Sequence, residues 1–447
     1  MLDLSRFHPQ RIASLLACVV LALLATATTD ARDARPRNLI LLISDGCGSA
    51  SFDLARDVAG HPLTLDSLRI GAVHTASATD SVTDSAASAT AYTTGVRTVN
   101  RRLGRDPSGA PLTSWFTEAA HHGWATGIVV TTDITDATPA ALYARAHDRA
   151  AQDSIAVQLL TLAPDVALGG GRAWFVPREA GGARTDGRDL VGEARSRGWR
   201  TIEHPADLDS DAVGHWLGLF ANRSFDYRLD RDTTAQPDLA TMARAAVRRL
   251  ARSKHGFVLM VEGSLIDHAG HQNDPATHAR EVLEYENMAR GMLEFARRDG
   301  RTLVISLSDH ETGGLQFAPP GSDSGLDVAV LRAQRVSAPR MAEGIGRGAG
   351  IDSVLALGWN PAVTVTPEER DRVASAKDDA RRALAIAAIA SRHAHVRWST
   401  TGHTGQDIPL HAFGPGAEQF RGALDNAEVG RRIAMLLDQR SGYASAR

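Results

Sequence analysis

Two patterns of apolar positions alternate along this chain. Short unbroken runs rich in Val, Ile and Leu occupy residues 38–44 (NLILLIS), 125–132 (ATGIVVTT), 165–168 (DVAL), 256–261 (GFVLMV) and 302–307 (TLVISL). Runs of this length and composition read as strands buried on both faces. Between and after them, apolar residues recur at three- and four-residue spacing over 241–254, 275–298 and 426–439, which predicts helices. Strands alternating with helices predict an α/β fold, a doubly wound, mostly parallel sheet with helices on both faces. In such sheets ligands bind beyond the carboxyl ends of the strands. Residues 316–401 depart from the alternation, with a Pro-Pro-Gly stretch, a Gly-rich 344–350 and one charged helical pattern over 367–389. They read as an inserted, lid- or crown-like subdomain.

The N-terminus follows a third pattern. Arg6 and Arg11 precede an apolar run over 12–24, then Ala25-Thr26-Ala27 and a polar stretch. This is the order of a secretory signal peptide, assigned to 1–27, with the folded domain at 28–447 and a periplasmic or secreted location expected. Leu15-Leu16-Ala17-Cys18 resembles a lipoprotein box but lies inside the apolar run. No other stretch is long and apolar enough to span a membrane. Once the leader is removed, Cys47 is the single cysteine left, so no internal disulfide is expected. Of 447 residues 43% are hydrophobic and 23% charged, with net charge −3, a globular composition without the footprint of a nucleic-acid binder.

The residues at the ends of the apolar runs carry the chemistry. The first run leads into Asp45-Gly46, the second towards Asp136 and Thr138, the fourth into Glu262-Gly263, and the fifth into Asp309-His310. One acidic residue after a strand is an ordinary turn or cap; several at one sheet edge suggest a site. In 261–271 (VEGSLIDHAGH), Asp267 and His271 stand four apart and share a helix face, as a metal pair requires. Asp, His and His sets with open positions, including Asp309-His310 and the lone His403, suit zinc, and two centres about 4 Å apart would clamp a phosphate. Glu262, Thr138 and Asp45 offer hard oxygens, which suit magnesium. Residues 81–95 (SVTDSAASATAYTTG) admit two readings: a tightly packed helix capped by Thr83 or Asp84, or a helix N-terminus holding an anion at Ser85. No GxSxG, HExxH or phosphate-loop motif is present.

Taken together, NLILLISDG, TDSAASATA, TDATPAAL, DVALGGGR, VEGSLIDHAGH, SDHETGG and TGHTGQD resemble, in order, the alkaline phosphatases of the metal-dependent alkaline phosphatase superfamily, from residue 38 to about 416. The resemblance implies hydrolysis of phosphate monoesters through a phosphoserine intermediate, with two zinc ions and one magnesium ion. Ser85 would be the nucleophile and Arg149, eleven residues past Thr138, the phosphate grip. Asp267, His271 and His403 would bind one zinc, Asp45, Asp309 and His310 the other, and Asp45, Thr138 and Glu262 the magnesium. Asp136 is counted with the metal positions. His268, where members carry Lys, His or Trp, is expected with Asp84 to tune the phosphate complex. A homodimer is also implied. Two alternatives stay open: a phosphodiesterase-leaning member of the superfamily, or a non-catalytic exported binder of metal or phosphate. A sulfatase is excluded, because Ala86-Ala87 follow Ser85.

Overall fold

The computed structural model describes residues 35–209, 212–317, 325–359 and 363–441. The leader assigned to 1–27 and the Pro-Pro-Gly stretch lie outside these residues. In chain order the strands are β1 (Asn38–Ile43), β2 (Arg69–His74), β3 (Ala125–Asp133), β4 (Val166–Gly170), β5 (Arg200–Ile202), β6 (Trp216–Leu219), β7 (Phe257–Glu262), β8 (Thr302–Leu307), β9 (Glu311–Thr312), β10 (Leu315–Phe317), β11 (Val396–Trp398), β12 (His403–Thr404), β13 (Ile408–Phe413) and β14 (Gly422–Asp425).

Ten of them form one sheet in the order β14-β2-β13-β8-β1-β7-β3-β4-β6-β5. Only β13 runs against its neighbours. The continuous apolar runs follow from burial on both faces. Leu39, Leu41 and Ile43 pack into one core with the helices Ser85–Thr94, Gln152–Leu162 and Asn426–Ser441. Ile40 and Leu42, on the opposite face, pack with Ser49–Ala59, Leu239–Leu250 and Pro275–Asp299.

The five predicted inner strands are all present, and the terminal ones are additions. β2, β5, β6 and β14 are short or half-exposed, and β2, β6 and β14 carry glycine, so their apolar pattern is weak. The single helical pattern read over 367–389 is two helices, Pro367–Ser375 and Asp379–His393. The break falls where Asp378 takes up extended backbone and its side chain caps the second helix through the Arg381 amide. These two pack with Ala338–Gly346 and Ile351–Trp359 around a small separate core that includes Met341, Leu355, Trp359, Val373 and Ile386.

Candidate active site

Register places the site. In β1, Ile43 stands level with Glu262 of β7 and with Leu307 of β8. Asp45, Glu262 and Asp309 therefore leave the same edge of adjacent parallel strands. The turn after β1 needs Gly46, whose φ is +73° and whose added Cβ would come 2.7 Å from the Asp267 Cα.

Two groups of ligating atoms form beyond this edge. One takes an atom each from Asp267, His271 and His403, and the other from Asp45, Asp309 and His310; within each group the atoms lie within 4.8 Å of one another. In the first, His271 Nε2 is 3.3 Å from Asp267 Oδ2, and His403 Nε2 is 3.7 Å from Asp267 Oδ1. In the second, His310 Nε2 is 3.3 Å from Asp309 Oδ2 and 3.7 Å from Asp45 Oδ1. The His310 and His403 rings stack with centroids 3.6 Å apart, which joins the groups. His403 arrives late in the sequence because β12 pairs with β9, setting His403 opposite Thr312.

Each imidazole has a fixed tautomer. His271 Nδ1–H donates to the Thr401 carbonyl at 2.6 Å, and His403 Nδ1–H to the Thr83 carbonyl at 3.0 Å. The Thr312 hydroxyl donates to Asp267 Oδ1 at 2.5 Å and lies 3.2 Å from His310 Nδ1, whose N–H it can accept. All three rings thus turn Nε2 towards the carboxylates, the arrangement of metal-ligating histidines with backbone or hydroxyl partners behind them.

The pocket is strongly acidic. Burial, then Asp309, Asp267 and Glu262, push Asp45 well above the usual carboxylate range. Burial followed by Asp136 and Asp309 pushes Glu262 up to about 8. Burial opposes the charge of His271, but Asp267 and the Thr401 carbonyl outweigh it and hold the ring at about 9. Asp45 Oδ1, Asp309 Oδ2 and both Glu262 oxygens are buried without a hydrogen-bond partner. Leaving four such oxygens unpaired is costly, and a bound cation is the chemical remedy. The donor set fits zinc at the Asp–His groups and a harder ion near Glu262.

Ser85 opens the helix Ser85–Thr94, with Asp84 as its cap through the Ala87 amide at 3.0 Å. Its Oγ lies 3.2 Å from His310 Nε2. The small residues behind it answer to helix packing: 85–93 are all buried, and a Cβ on Gly430 of the C-terminal helix would stand 2.3 Å from the Ala91 carbonyl oxygen. Arg149 lies between two carboxylates, donating to Asp136 Oδ1 at 2.8 Å and Asp84 Oδ2 at 3.3 Å. Burial opposes that charge, but Asp136 outweighs it and raises the guanidinium further above its ordinary value. Asp136 also accepts from its own helix at the Ala137 amide, 2.7 Å. Thr138 is buried in that same short helix, Ala137–Ala140. His268 is half-buried, and its charge acts on both Asp133 and Asp136. Cys47 is fully buried, and burial pushes its thiol up to about 12, an inert state.

Sequence reasoning missed Thr312 and the two carbonyls that set the tautomers. Thr312 stood in plain view three residues after Asp309, but a hydroxyl carries no metal-ligand signal of its own.

The alkaline phosphatase family profile matches residues 36–439. Alkaline phosphatase 4 of Bacillus subtilis is 32% identical over 418 residues, covering 90% of this chain and 88% of that protein. The repressible alkaline phosphatase of Saccharomyces cerevisiae is 39% identical over 338 residues, covering 68% and 60%. Among solved structures, a cold-active alkaline phosphatase from Shewanella sp. superposes with a TM-score of 0.82 at 31% identity, covering 90% of this chain and 99% of that one.

Proposed function

This chain belongs to the alkaline phosphatase family, and we propose accordingly that it hydrolyses phosphate monoesters by passing the phosphoryl group through Ser85. The observation that carries the proposal is the placing of Ser85 Oγ 3.2 Å from His310 Nε2, at the head of a buried helix and beside the two Asp–His groups.

Ser85 Oγ gives up its proton to solvent and forms a bond to phosphorus as the ester P–O bond breaks; the leaving oxygen takes a proton from water, and the hydroxide left is neutralised by the proton from Ser85. Water then cleaves the phosphoserine, returning the hydroxyl to Ser85 and releasing inorganic phosphate. Arg149 offers its fork of N–H donors to two phosphoryl oxygens, and Asp84 and Asp136 hold the fork in place. Asp267, His271 and His403 would hold one zinc, Asp45, Asp309 and His310 a second, and Asp45, Thr138 and Glu262 a magnesium. When bound, such ions lower the pKa of a coordinated hydroxyl and neutralise charge on departing oxygens. Most of the rate then comes from positioning and charge stabilisation. The leader at 1–27 would deliver the enzyme to the periplasm or medium, where it would work as a homodimer.

The test is turnover of 4-nitrophenyl phosphate by the purified, metal-loaded protein beside bis(4-nitrophenyl) phosphate. The monoester is expected to lead in kcat/KM by about a hundredfold or more, as differential binding of the dianion requires. No monoester turnover, or a diester preference, overturns the reading.

A further inference from the structure

We propose that Arg223 selects phosphate monoesters bearing a second anionic group, which it binds at the rim of the phosphate site. The proposal rests on the reading of Ser85 and Arg149 as that site.

Asp133 ends β3 level with Gly170 of β4. The Trp174 indole N–H donates to Asp133 Oδ2 at 2.7 Å. The guanidinium carbon of Arg223 lies 3.9 Å from the Trp174 ring centroid, and its Nη1 is 3.8 Å from the same Asp133 oxygen. Arg223 is thus stacked on one face and steered along one edge, yet its side chain is 55% exposed. Its backbone is fixed as well, because the Arg223 carbonyl accepts from the Gly171 amide at 3.2 Å. A flat guanidinium held this way presents its remaining N–H donors to solvent in a defined direction, which is what bidentate anion recognition needs.

The next residue ties this shelf to the phosphate grip. Ser224 Oγ is 2.9 Å from Thr132 Oγ1, which is 3.4 Å from Asp136 Oδ2, and Asp136 Oδ1 accepts from Arg149 at 2.8 Å. Three hydrogen bonds therefore link the segment that carries Arg223 to Arg149. His268 is also within electrostatic reach of Asp133. The 221–225 segment is already latched to β3 without the arginine side chain, by the Phe225 amide donating to the Thr131 carbonyl at 2.9 Å and by the Ser224–Thr132 pair; the exposed cation stacked over Trp174 is additional. The fitting substrates are small bisphosphates or phosphorylated acids whose second charge reaches Arg223 while the scissile phosphate lies at Arg149.

The experiment uses the metal-loaded enzyme and a series of linear alkanediol bisphosphates, each beside the monophosphate of the same diol. The bisphosphate-to-monophosphate ratio of kcat/KM is expected to peak at one chain length. Arg223→Ala should lower that peak ratio about tenfold, the worth of one charge-assisted hydrogen bond at a half-exposed site, and Arg223→Lys should restore part of it. A ratio equal in wild type and Arg223→Ala overturns the proposal, including the case in which both substrates lose activity together as a lost latch would dictate. If the wild type turns over neither substrate, the phosphomonoesterase reading itself fails and this proposal with it.

Discussion

The Nε2 atoms of His271 and His403 face each other at 3.2 Å, while each ring's Nδ1 is committed to a backbone carbonyl. A carbonyl only accepts, so each Nδ1 carries a proton and each Nε2 is left to share a proton or a metal. With Asp267 on the same point, the geometry favours a cation there. Chelation is therefore expected to abolish activity and to lower the melting temperature by several degrees, because metal bound only by the folded state stabilises it. Calorimetry and elemental analysis check this; full activity in metal-free protein contradicts it.

Arg149 is expected to separate monoesters from diesters. It is held by Asp84 and Asp136, and a dianionic monoester can occupy both of its N–H groups. Arg149→Ala should lower monoester kcat/KM by about a hundredfold, in line with loss of a preorganised charged donor, and diester kcat/KM far less. Equal losses on the two substrates would assign Arg149 a structural role instead.

His268 should tune the phosphate complex without holding metal. It neighbours Asp267 in the helix Leu265–His271, so it cannot share the direction common to Asp267 and His271, and its charge acts on Asp133 and Asp136. His268→Ala and His268→Lys should keep the metal content of the wild type while shifting phosphate inhibition and the pH profile. His271→Ala should lose metal. Metal content measured beside product inhibition decides, and metal loss in His268→Ala equal to that in His271→Ala is the contrary result.

His278 gives the fold an acid-sensitive point away from the reaction. It is fully buried, its Nδ1–H donating to the Ile266 carbonyl at 3.0 Å and its Nε2 accepting from the Ser51 hydroxyl at 2.8 Å, and burial holds it down at about 4. An unfolded imidazole takes its proton near 6.5. Between those values the unfolded chain binds a proton that the folded chain refuses, so stability falls as pH drops from about 6.5 to 4, by about 3 kcal/mol in full. Denaturant unfolding across that window should show a shallower slope for His278→Gln than for the wild type. Equal slopes contradict the assignment.

The parts of this protein legible in its sequence are those where one strand exit carries its own signal. Glu262 and Asp309-His310 follow buried apolar runs directly, and Asp267 with His271 share a helix face by spacing alone. The rest depends on contacts between distant segments. His403 reaches the site only because two short strands pair, and the Thr83 and Thr401 carbonyls that orient the rings have no side-chain signature. Arg149 depends on Asp84, 65 positions earlier, and the Asp133–Trp174–Arg223 shelf draws on three segments distant in sequence. At the sheet edges, β14 and β2 meet where a Cβ on Gly71 would come 2.0 Å from the Gly422 carbonyl oxygen, a packing constraint invisible in an apolar pattern.

Passage of the phosphoryl group through Ser85 can be caught by trapping the covalent intermediate. Metal-loaded enzyme mixed with a phosphate monoester, quenched in acid and digested, is expected to yield one phosphorylated peptide, carrying the phosphate on Ser85; Ser85→Ala should give no such peptide and should lose nearly all turnover. Phosphate on another residue, or wild-type turnover rates in Ser85→Ala, would contradict this route.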